Sequence, residues 1–236
     1  IADGVDCTTA AVNVGQFTDA MTSALNAGKD ILCISFSSAL STTYQSACIA
    51  AEDLRAEHPE AKIIVIDSLS ACRGQGMLIY RTVRERRKKN LDIEALADFV
   101  RGTIQHQDHW FMVDDLNHLK RGGRVSATTA VLGTMMRIKP VMHVDDQGRL
   151  INVAKARGRK ASLDALVDHM EQTAFTPENQ TIYISHGDCI EDAEYVADQC
   201  RKRLHVKDVL IHYVDPVIGA HSGPGTVALF FLGSKR

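Results

Sequence analysis

The sequence predicts an α/β protein of two domains, the first built on a parallel sheet and the second of mixed α+β structure. Its 236 residues are long for one domain and sufficient for two small ones. Short apolar segments alternate with helical ones in the first half, which is typical of a parallel sheet covered on both faces. A hairpin pattern appears only in the second half, so we expect domains over 1–106 and 107–236.

Composition excludes several classes of protein. A hydrophobic share of 45% is enough to bury a core, so a disordered chain is not expected. The formal net charge of −2 gives no overall attraction to nucleic acid or to an anionic membrane. No apolar run approaches the roughly 20 residues of a membrane-spanning helix. We therefore expect neither a nucleic-acid partner nor integral membrane association.

The cysteines and the first residue indicate a compartment and a processing state. Most of the six cysteines lie in apolar runs, which predicts small buried side chains in a reducing cytoplasm. No C-x-x-C pair and no histidine at zinc-like spacing is present, so neither a metal site nor a disulfide is expected. No signal peptide is recognisable, and the first residue is isoleucine rather than methionine, which predicts a cytoplasmic fragment or processed product.

Periodicity in the first half predicts helices and strands in alternation. Phe17, Met21 and Leu25 recur at helical spacing, and Asp92 is placed to cap a helix. The β-branched run after Lys62 is typical of a buried strand. The predicted helices cover 16–27, 44–57, 77–89 and 91–105, and the predicted strands cover 31–35 and 62–67. The charged residues at 84–89 are expected to form a solvated last helical turn.

The second half has a different pattern, with more strands and one hairpin. The four residues at 145–148 form a favourable turn between two strands. A glycine-rich loop is predicted over 219–225. The predicted strands cover 110–113, 139–144, 149–155, 181–185, 209–214 and 227–232, and the predicted helices cover 116–120, 131–136, 162–173 and 190–203.

A group of hydroxyl side chains lies where the first predicted strand gives way to a helix. Six Ser and Thr side chains fall within 35–43, among them Ser37, Ser38 and Ser41. Unpaired N–H groups at a helix N-terminus, together with short hydroxyl donors, suit an anion. One or two hydroxyls would suffice as helix caps, so this number favours a binding loop. The pattern does not distinguish among a carboxylate-binding site, a phosphate-binding site and a catalytic serine.

Three further polar clusters are candidates for a site. Arginines beside a Gly-Gly pair are typical of a site that binds phosphate or carboxylate, but they occur equally in an ordinary basic surface turn. His221 lies between glycines that would let a ligand approach its ring. His186 is expected only to cap the following helix. The clusters are Thr8 with Thr9; Lys120, Arg121 and Arg124 with Arg157 and Arg159; and residues 219–225.

A serine hydrolase and a phosphosugar-binding domain are the alternatives to a carboxylate-binding protein. The hydrolase needs a G-x-S-x-G nucleophile turn, and neither Ser37 nor Ser38 lies in that pattern. A sugar-isomerase type of domain also places a Ser/Thr-rich loop between strand and helix. That domain would not predict the motif at 219–225. The phosphosugar-binding enzyme or sensor stays the alternative function.

Several motifs together resemble one known family. Residues 37–47 are similar to its S-S-x-L-S-G-T-Y-x-S-A pattern, and residues 119–126 match its L-K-x-G-G-R-I-S pattern. The segments 65–68, 155–158 and 219–225 follow in the family's order. Because the match runs through nearly the whole chain, the sequence resembles the DegV family of bacterial fatty-acid-binding proteins. The family's first strand and its D-S-x-x-D segment have no counterpart, so an incomplete first sheet is expected.

The resemblance implies a lipid-binding carrier rather than an enzyme. Two α/β-type domains would enclose one long acyl chain in an interdomain tunnel, with Thr9 and Ser37 or Ser38 on its carboxylate. Arg157 and His221 would lie near the head group, and Arg124 and Ser41 are possible additions. The protein would transport the fatty acid to a separate fatty acid kinase subunit, whose acyl phosphate feeds phospholipid synthesis. No cofactor besides the bound fatty acid and no metal is implied.

Overall fold

A computed structural model describes residues 7–114, 116–126, 138–234 and 236. The chain divides into two compact units. The N-terminal unit comprises Ala10–Ala71 and Gln75–Gln105, and the C-terminal unit comprises Cys72–Gly74 and His106–Arg236 with residues 7–9. The helix predicted over 131–136 lies outside the described residues.

The N-terminal unit is built on two parallel strands, β1 (Ile31–Ser35) and β2 (Ile63–Asp67), which pair in register. Side chains alternate between the faces of a strand, so the odd-numbered and even-numbered residues of β1 contact different helices. Cys33 packs with one apolar cluster and Ile34 with another. The helices are α1 (Val14–Asn26), α2 (Thr43–Glu57), α3 (Cys72–Lys89) and α4 (Ile93–Ile104), and the first three residues of α3 belong to the C-terminal unit. A parallel sheet covered on both faces is confirmed.

The helix starts in this unit differ in how well the sequence predicts them. The Asp92 cap is confirmed, because its carboxylate accepts from the Ala95 N–H at 2.9 Å. The first helix begins at Val14, before its predicted start, because Asn13 and Gln16 form a reciprocal capping box. The third helix begins at Cys72 and not at Met77, so Gly74 is helical. A Cβ at Gly74 would lie 1.9 Å from His109 Nε2, which explains a glycine inside this helix.

The C-terminal unit is a six-stranded mixed sheet in the order β5-β4-β3-β8-β6-β7. Its β6 and β7 are parallel and the other neighbours are antiparallel, which confirms the predicted α+β pattern. The strands are β3 (Gln107–Met112), β4 (Ile138–Val144), β5 (Leu150–Arg157), β6 (Thr181–His186), β7 (Asp208–Tyr213) and β8 (Val227–Leu232). The helices are α5 (Asn117–Arg121), α6 (Arg159–Thr173), α7 (Ile190–Leu204) and α8 (Pro216–Ser222), with a 3-10 turn at Pro177–Asn179.

The hairpin turn and the glycine-rich loop predicted in this unit have different outcomes. The hairpin between β4 and β5 is confirmed, with Asp145 Oδ1 accepting from the Gln147 and Arg149 N–H groups at 2.9 Å. The glycine-rich loop predicted over 219–225 is wrong in its first half, because α8 extends to Ser222. Asp215 caps that helix by accepting from the Ile218 N–H at 3.0 Å, with Pro216 at its first turn. This Asp-Pro start outweighs the glycine within the short helix.

The cysteines are less buried than predicted. All six lie within the described residues and none forms a disulfide there; Cys200 is buried, Cys7 is exposed and the others are half-buried. Cys33 of β1, for example, is only partly buried and packs against an apolar cluster whose fully buried members include Ala47 and Ala51. No helix in the part of the chain that the structure describes is long and apolar enough to cross a membrane.

Candidate functional site

The Ser/Thr segment of the N-terminal unit contains one buried serine and one exposed serine. Ser37 has no exposed surface, and its N–H donates to the Ser70 carbonyl at 3.0 Å. Its own carbonyl accepts from the Leu40 and Ser41 N–H groups at 3.1 and 3.2 Å. Ser38 is exposed. Ser37 therefore shapes the segment, while the Ser38 hydroxyl is the one presented to solvent.

Asp67, at the end of β2, holds this segment in place. Its carboxylate accepts from the Ser38 N–H at 3.2 and 3.3 Å and from the Leu69 N–H at 3.0 Å. Tyr44 lies near the same carboxylate. A hydrogen bond with Cys48, followed by burial and nearby negative charge, raises the pKa of Tyr44 to about 12. The phenol therefore stays neutral beside Asp67.

Helix α2 begins without a side-chain cap on its Thr42. The Ser41 hydroxyl lies 2.8 Å from the Thr43 hydroxyl and accepts from the Thr43 N–H at 3.2 Å. Thr42 has φ −72°, an ordinary value for a residue with a side chain, although the DegV pattern has glycine at this position. The loop therefore tolerates threonine without a left-handed backbone.

A second polar group lies in the C-terminal unit around His221. The Thr9 hydroxyl and His221 Nε2 are 2.7 Å apart. The imidazole projects from α8 against the turn that follows α5, where a Cβ at Gly122 would lie 2.2 Å from His221 Nδ1. Only glycine leaves room for the ring at this position. The structure thus brings together Thr9 and His221, two of the residues selected from the sequence.

The charge around His221 favours its neutral form. Burial lowers the pKa of His221 below its ordinary value, and the positive charge of Arg124 lowers it further. Arg124 Nη1 also donates to the Gly122 carbonyl, so the guanidinium lies at the same turn. A neutral imidazole can accept a hydrogen bond on one ring nitrogen and donate on the other.

The C-terminal end of α8 makes a contact of the same type, in which a histidine ring packs against a glycine. A Cβ at Gly223 would lie 2.4 Å from the ring of His118, which accepts from Arg121 Nη2 at 2.9 Å through Nδ1. Helices α5 and α8 therefore pack with a histidine of each against a glycine of the other segment. This arrangement needs small residues at both positions.

The two arginines after β5 have different surroundings. Arg159 donates to Asp192, Asp114 and the Gly225 carbonyl at 2.7, 2.7 and 2.8 Å, so it fixes the segment that follows α8. Arg157 ends β5 with an exposed side chain that makes no hydrogen bond or ion pair with a described residue. Arg157 is therefore the cation of this pair that a ligand could engage.

Comparison with known proteins decides the family. The family model described as "Uncharacterised protein, DegV family" matches residues 3–234. A DegV domain-containing protein of Clostridium perfringens is 43% identical over 236 residues, covering 100% of this chain and 81% of the relative. The chain belongs to the DegV family.

Solved DegV structures share the fold. A fatty acid binding DegV family protein of Streptococcus agalactiae superposes with a TM-score of 0.83 at 25% identity, covering 97% of this chain and 79% of that one. The Fatty Acid Kinase (Fak) B3 protein of Streptococcus pneumoniae, loaded with linoleic acid, has a TM-score of 0.85 at 20% identity, covering 94% and 77%. The predicted α/β DegV fold with a small parallel sheet and a larger mixed sheet is confirmed.

Several residues of the two groups were not selected from the sequence. Asp67 lies in a segment with a DegV-like pattern, but a lone acid after a strand gives no signal that it binds a neighbouring loop. The sequence pattern places Gly122 only in a basic turn. Its contact with His221, about 100 residues away in sequence, depends on tertiary packing. Among the described residues, no group of three or more His, Cys, Asp or Glu is placed to bind a metal.

Proposed function

We propose that this DegV family member binds a long-chain fatty acid and presents its carboxylate to a separate kinase subunit, which forms the acyl phosphate. The observation that carries the proposal is the pairing of Thr9 with His221 at 2.7 Å, in a chain of this family. A relative of the same fold at 25% identity is described as fatty acid binding. The kinase step rests on the family resemblance alone.

In the N-terminal unit, Ser38 is the residue that we propose donates a hydrogen bond to the fatty-acid carboxylate. Its backbone N–H is engaged by Asp67, so its exposed hydroxyl is the group that remains for a ligand. Ser37 is buried and serves the backbone of the loop, while Ser41 bonds to Thr43. We therefore favour Ser38 over Ser37 as the ligand-binding hydroxyl, with Ser41 in a supporting position.

Thr9, His221 and Arg157 are the proposed head-group residues of the C-terminal unit. A hydroxyl and a neutral imidazole offer hydrogen bonds to a carboxyl group without neutralising it. An exposed guanidinium suits the added charge of a phosphoryl group. The protein itself would supply binding and orientation, and the kinase subunit would supply the nucleotide.

Ser38→Ala is expected to weaken fatty-acid binding by roughly 1.5–3 kcal/mol, the usual worth of a hydrogen bond to a charged group. This corresponds to a Kd about 10- to 150-fold higher. The measurement is titration of the delipidated protein with oleic acid by calorimetry. Thr42→Ala is the matched control, because Thr42 is an exposed hydroxyl of the same loop that makes no capping bond. Equal affinities for wild type, Ser38→Ala and Ser37→Ala would remove this loop from the site.

A further inference from the structure

The ring of His221 rests directly on a backbone turn. A Cβ at Gly122 would lie 2.2, 2.9 and 3.3 Å from Nδ1, Cε1 and Cγ of the imidazole, so the ring occupies the space of the missing side chain. The opposite ring nitrogen, Nε2, is 2.7 Å from the Thr9 hydroxyl. The imidazole is therefore held from two sides, and the position of the Gly122 turn determines where it points.

Arg124 fixes that turn from within. Its Nη1 donates to the Gly122 carbonyl, two residues earlier, and its N–H donates to the Leu119 carbonyl at 2.9 Å. An arginine in this position closes the turn and adds a permanent positive charge to it. Both effects act on the side chain that rests on the turn.

Other charged groups near His221 are engaged elsewhere. On α5, Arg121 bonds to His118 at 2.9 Å, and the His118 ring lies against Gly223. On α8, Asp215 caps the helix at the Ile218 N–H. The N-terminal segment contributes the uncharged Thr9. Among these groups, Arg124 is the one whose charge acts on the His221 ring.

We propose that Arg124 is a positioning residue for His221: it fixes the turn on which the imidazole rests and places a permanent positive charge beside the ring. The inference rests on the proposed role of His221 at the fatty-acid head group. An uncharged imidazole exchanges a hydrogen bond with Thr9 and leaves the fatty-acid carboxylate its negative charge. An imidazolium would form an ion pair with that carboxylate and reduce its ability to accept a phosphoryl group.

The test follows the titration of His221 by NMR of histidine side chains, with the His221 signal assigned by its loss in His221→Ala. Arg124→Gln is expected to raise the titration midpoint of His221 by about half a pH unit or more, because a nearby cation is removed. Arg124→Lys is expected to keep the midpoint close to that of wild type, because it retains the charge. Lys120→Gln is the matched control, since it removes an exposed cation from the same segment.

A second measurement needs no variant. In the wild-type protein, raising the ionic strength from about 0.05 to about 0.5 M is expected to raise the His221 midpoint, because salt screens the charge of Arg124. This arm decides the case if Arg124→Gln does not fold. An Arg124→Gln midpoint no higher than that of Lys120→Gln, or a salt-independent midpoint where that variant is unfolded, would overturn the proposal.

Lipid extracts of the same preparations separate this inference from the proposed function. Bound fatty acid together with the expected shift supports both. Bound fatty acid without the shift overturns the positioning role of Arg124 alone. If the His221 midpoint rises in Arg124→Gln but the protein neither contains fatty acid nor takes up added fatty acid, the role of Arg124 beside His221 is upheld and the binding proposal is overturned.

Discussion

Asp108→Asn is expected to stabilise the protein against unfolding by about 4 kcal/mol at pH 8 and by almost nothing near pH 4. Asp108 has no exposed surface, and its Oδ2 has no hydrogen-bond partner among the described residues. Its Oδ1 accepts from Trp110 Nε1 at 3.2 Å, a bond that an amide oxygen can replace. Burial raises the pKa of Asp108 from 3.8 to about 7 in the folded protein, against the opposing effects of Trp110 and Arg236.

The sign of the effect follows from which state binds the proton. Between pH 3.8 and about 7 the folded protein keeps the Asp108 proton while the unfolded chain releases it. The favourable contribution of protonated Asp108 is therefore complete below pH 3.8 and is lost as the pH rises to about 7. Asparagine has no proton to lose, so the variant avoids the cost of a buried carboxylate at high pH.

His143, whose ring stacks on Trp110 with a 4.2 Å centroid distance, acts on stability in the opposite direction. Burial lowers the pKa of His143 from 6.5 to about 4, so folding becomes less favourable as the unfolded chain gains a proton below pH 6.5. Burial also lowers the pKa of His169, which stacks on Trp110 with a 3.6 Å centroid distance. In wild type the aspartate and histidine contributions oppose each other. We expect Asp108→Asn to show a steeper loss of stability in acid.

Urea unfolding between pH 4 and 8 measures this prediction, with fluorescence of Trp110, the single tryptophan of the chain, as the signal. Asp98→Asn is a matched control, because Asp98 has a side chain 78% exposed and pairs with the nearby Arg101. A stability difference between Asp108→Asn and wild type that is the same at every pH would show that Asp108 does not titrate as described.

His221→Ala is expected to retain bound fatty acid and to lower kinase-dependent phosphoryl transfer by about 100-fold or more, the usual scale for a group that handles a proton or positions a reactant. We expect this separation of binding from transfer because of where His221 lies. His221 is held between Thr9 and Gly122 by two close contacts, while α8 is anchored at its other end by Asp215. Loss of the ring should therefore leave the helix in place.

The measurement is formation of acyl phosphate from bound fatty acid with the fatty acid kinase catalytic subunit of the same organism, alongside the fatty acid content of each preparation. His212→Ala is the matched control, since His212 is an exposed histidine on the edge strand β7. Transfer at the wild-type rate in His221→Ala would remove the head-group role. Loss of the fatty acid itself would place His221 in binding rather than in transfer.

Local patterns predict the elements of this fold well where a single signal dominates. The continuous apolar runs of β1 and β2 and the Asp92 cap depend on neighbouring residues alone, and both predictions are confirmed. The prediction of a loop over all of 219–225 is wrong because the Asp215 cap and Pro216 start a helix that continues through Gly219 to Ser222. The start of α3 failed because the reason for Gly74, the ring of His109, lies in another element.

In the candidate site, contacts between residues that are distant in sequence are even harder to predict from local patterns. Thr9 and His221 were selected separately, from a threonine pair and a glycine-rich motif, and nothing in either segment predicts a 2.7 Å contact across 212 positions. The sequence does not reveal the role of Asp67, because that role depends on the N–H of Ser38 in a different segment. Residue types could be predicted from the sequence, whereas their partners depend on tertiary packing.

The most direct test of the account is mass spectrometry of the lipid extracted from the purified protein. We predict one long-chain fatty acid per protein molecule, or uptake to that level when oleic acid is added to the delipidated protein. An extract without fatty acid, combined with no uptake of added fatty acid, would contradict the proposed function. Binding of a sugar phosphate under those conditions would favour the phosphosugar alternative.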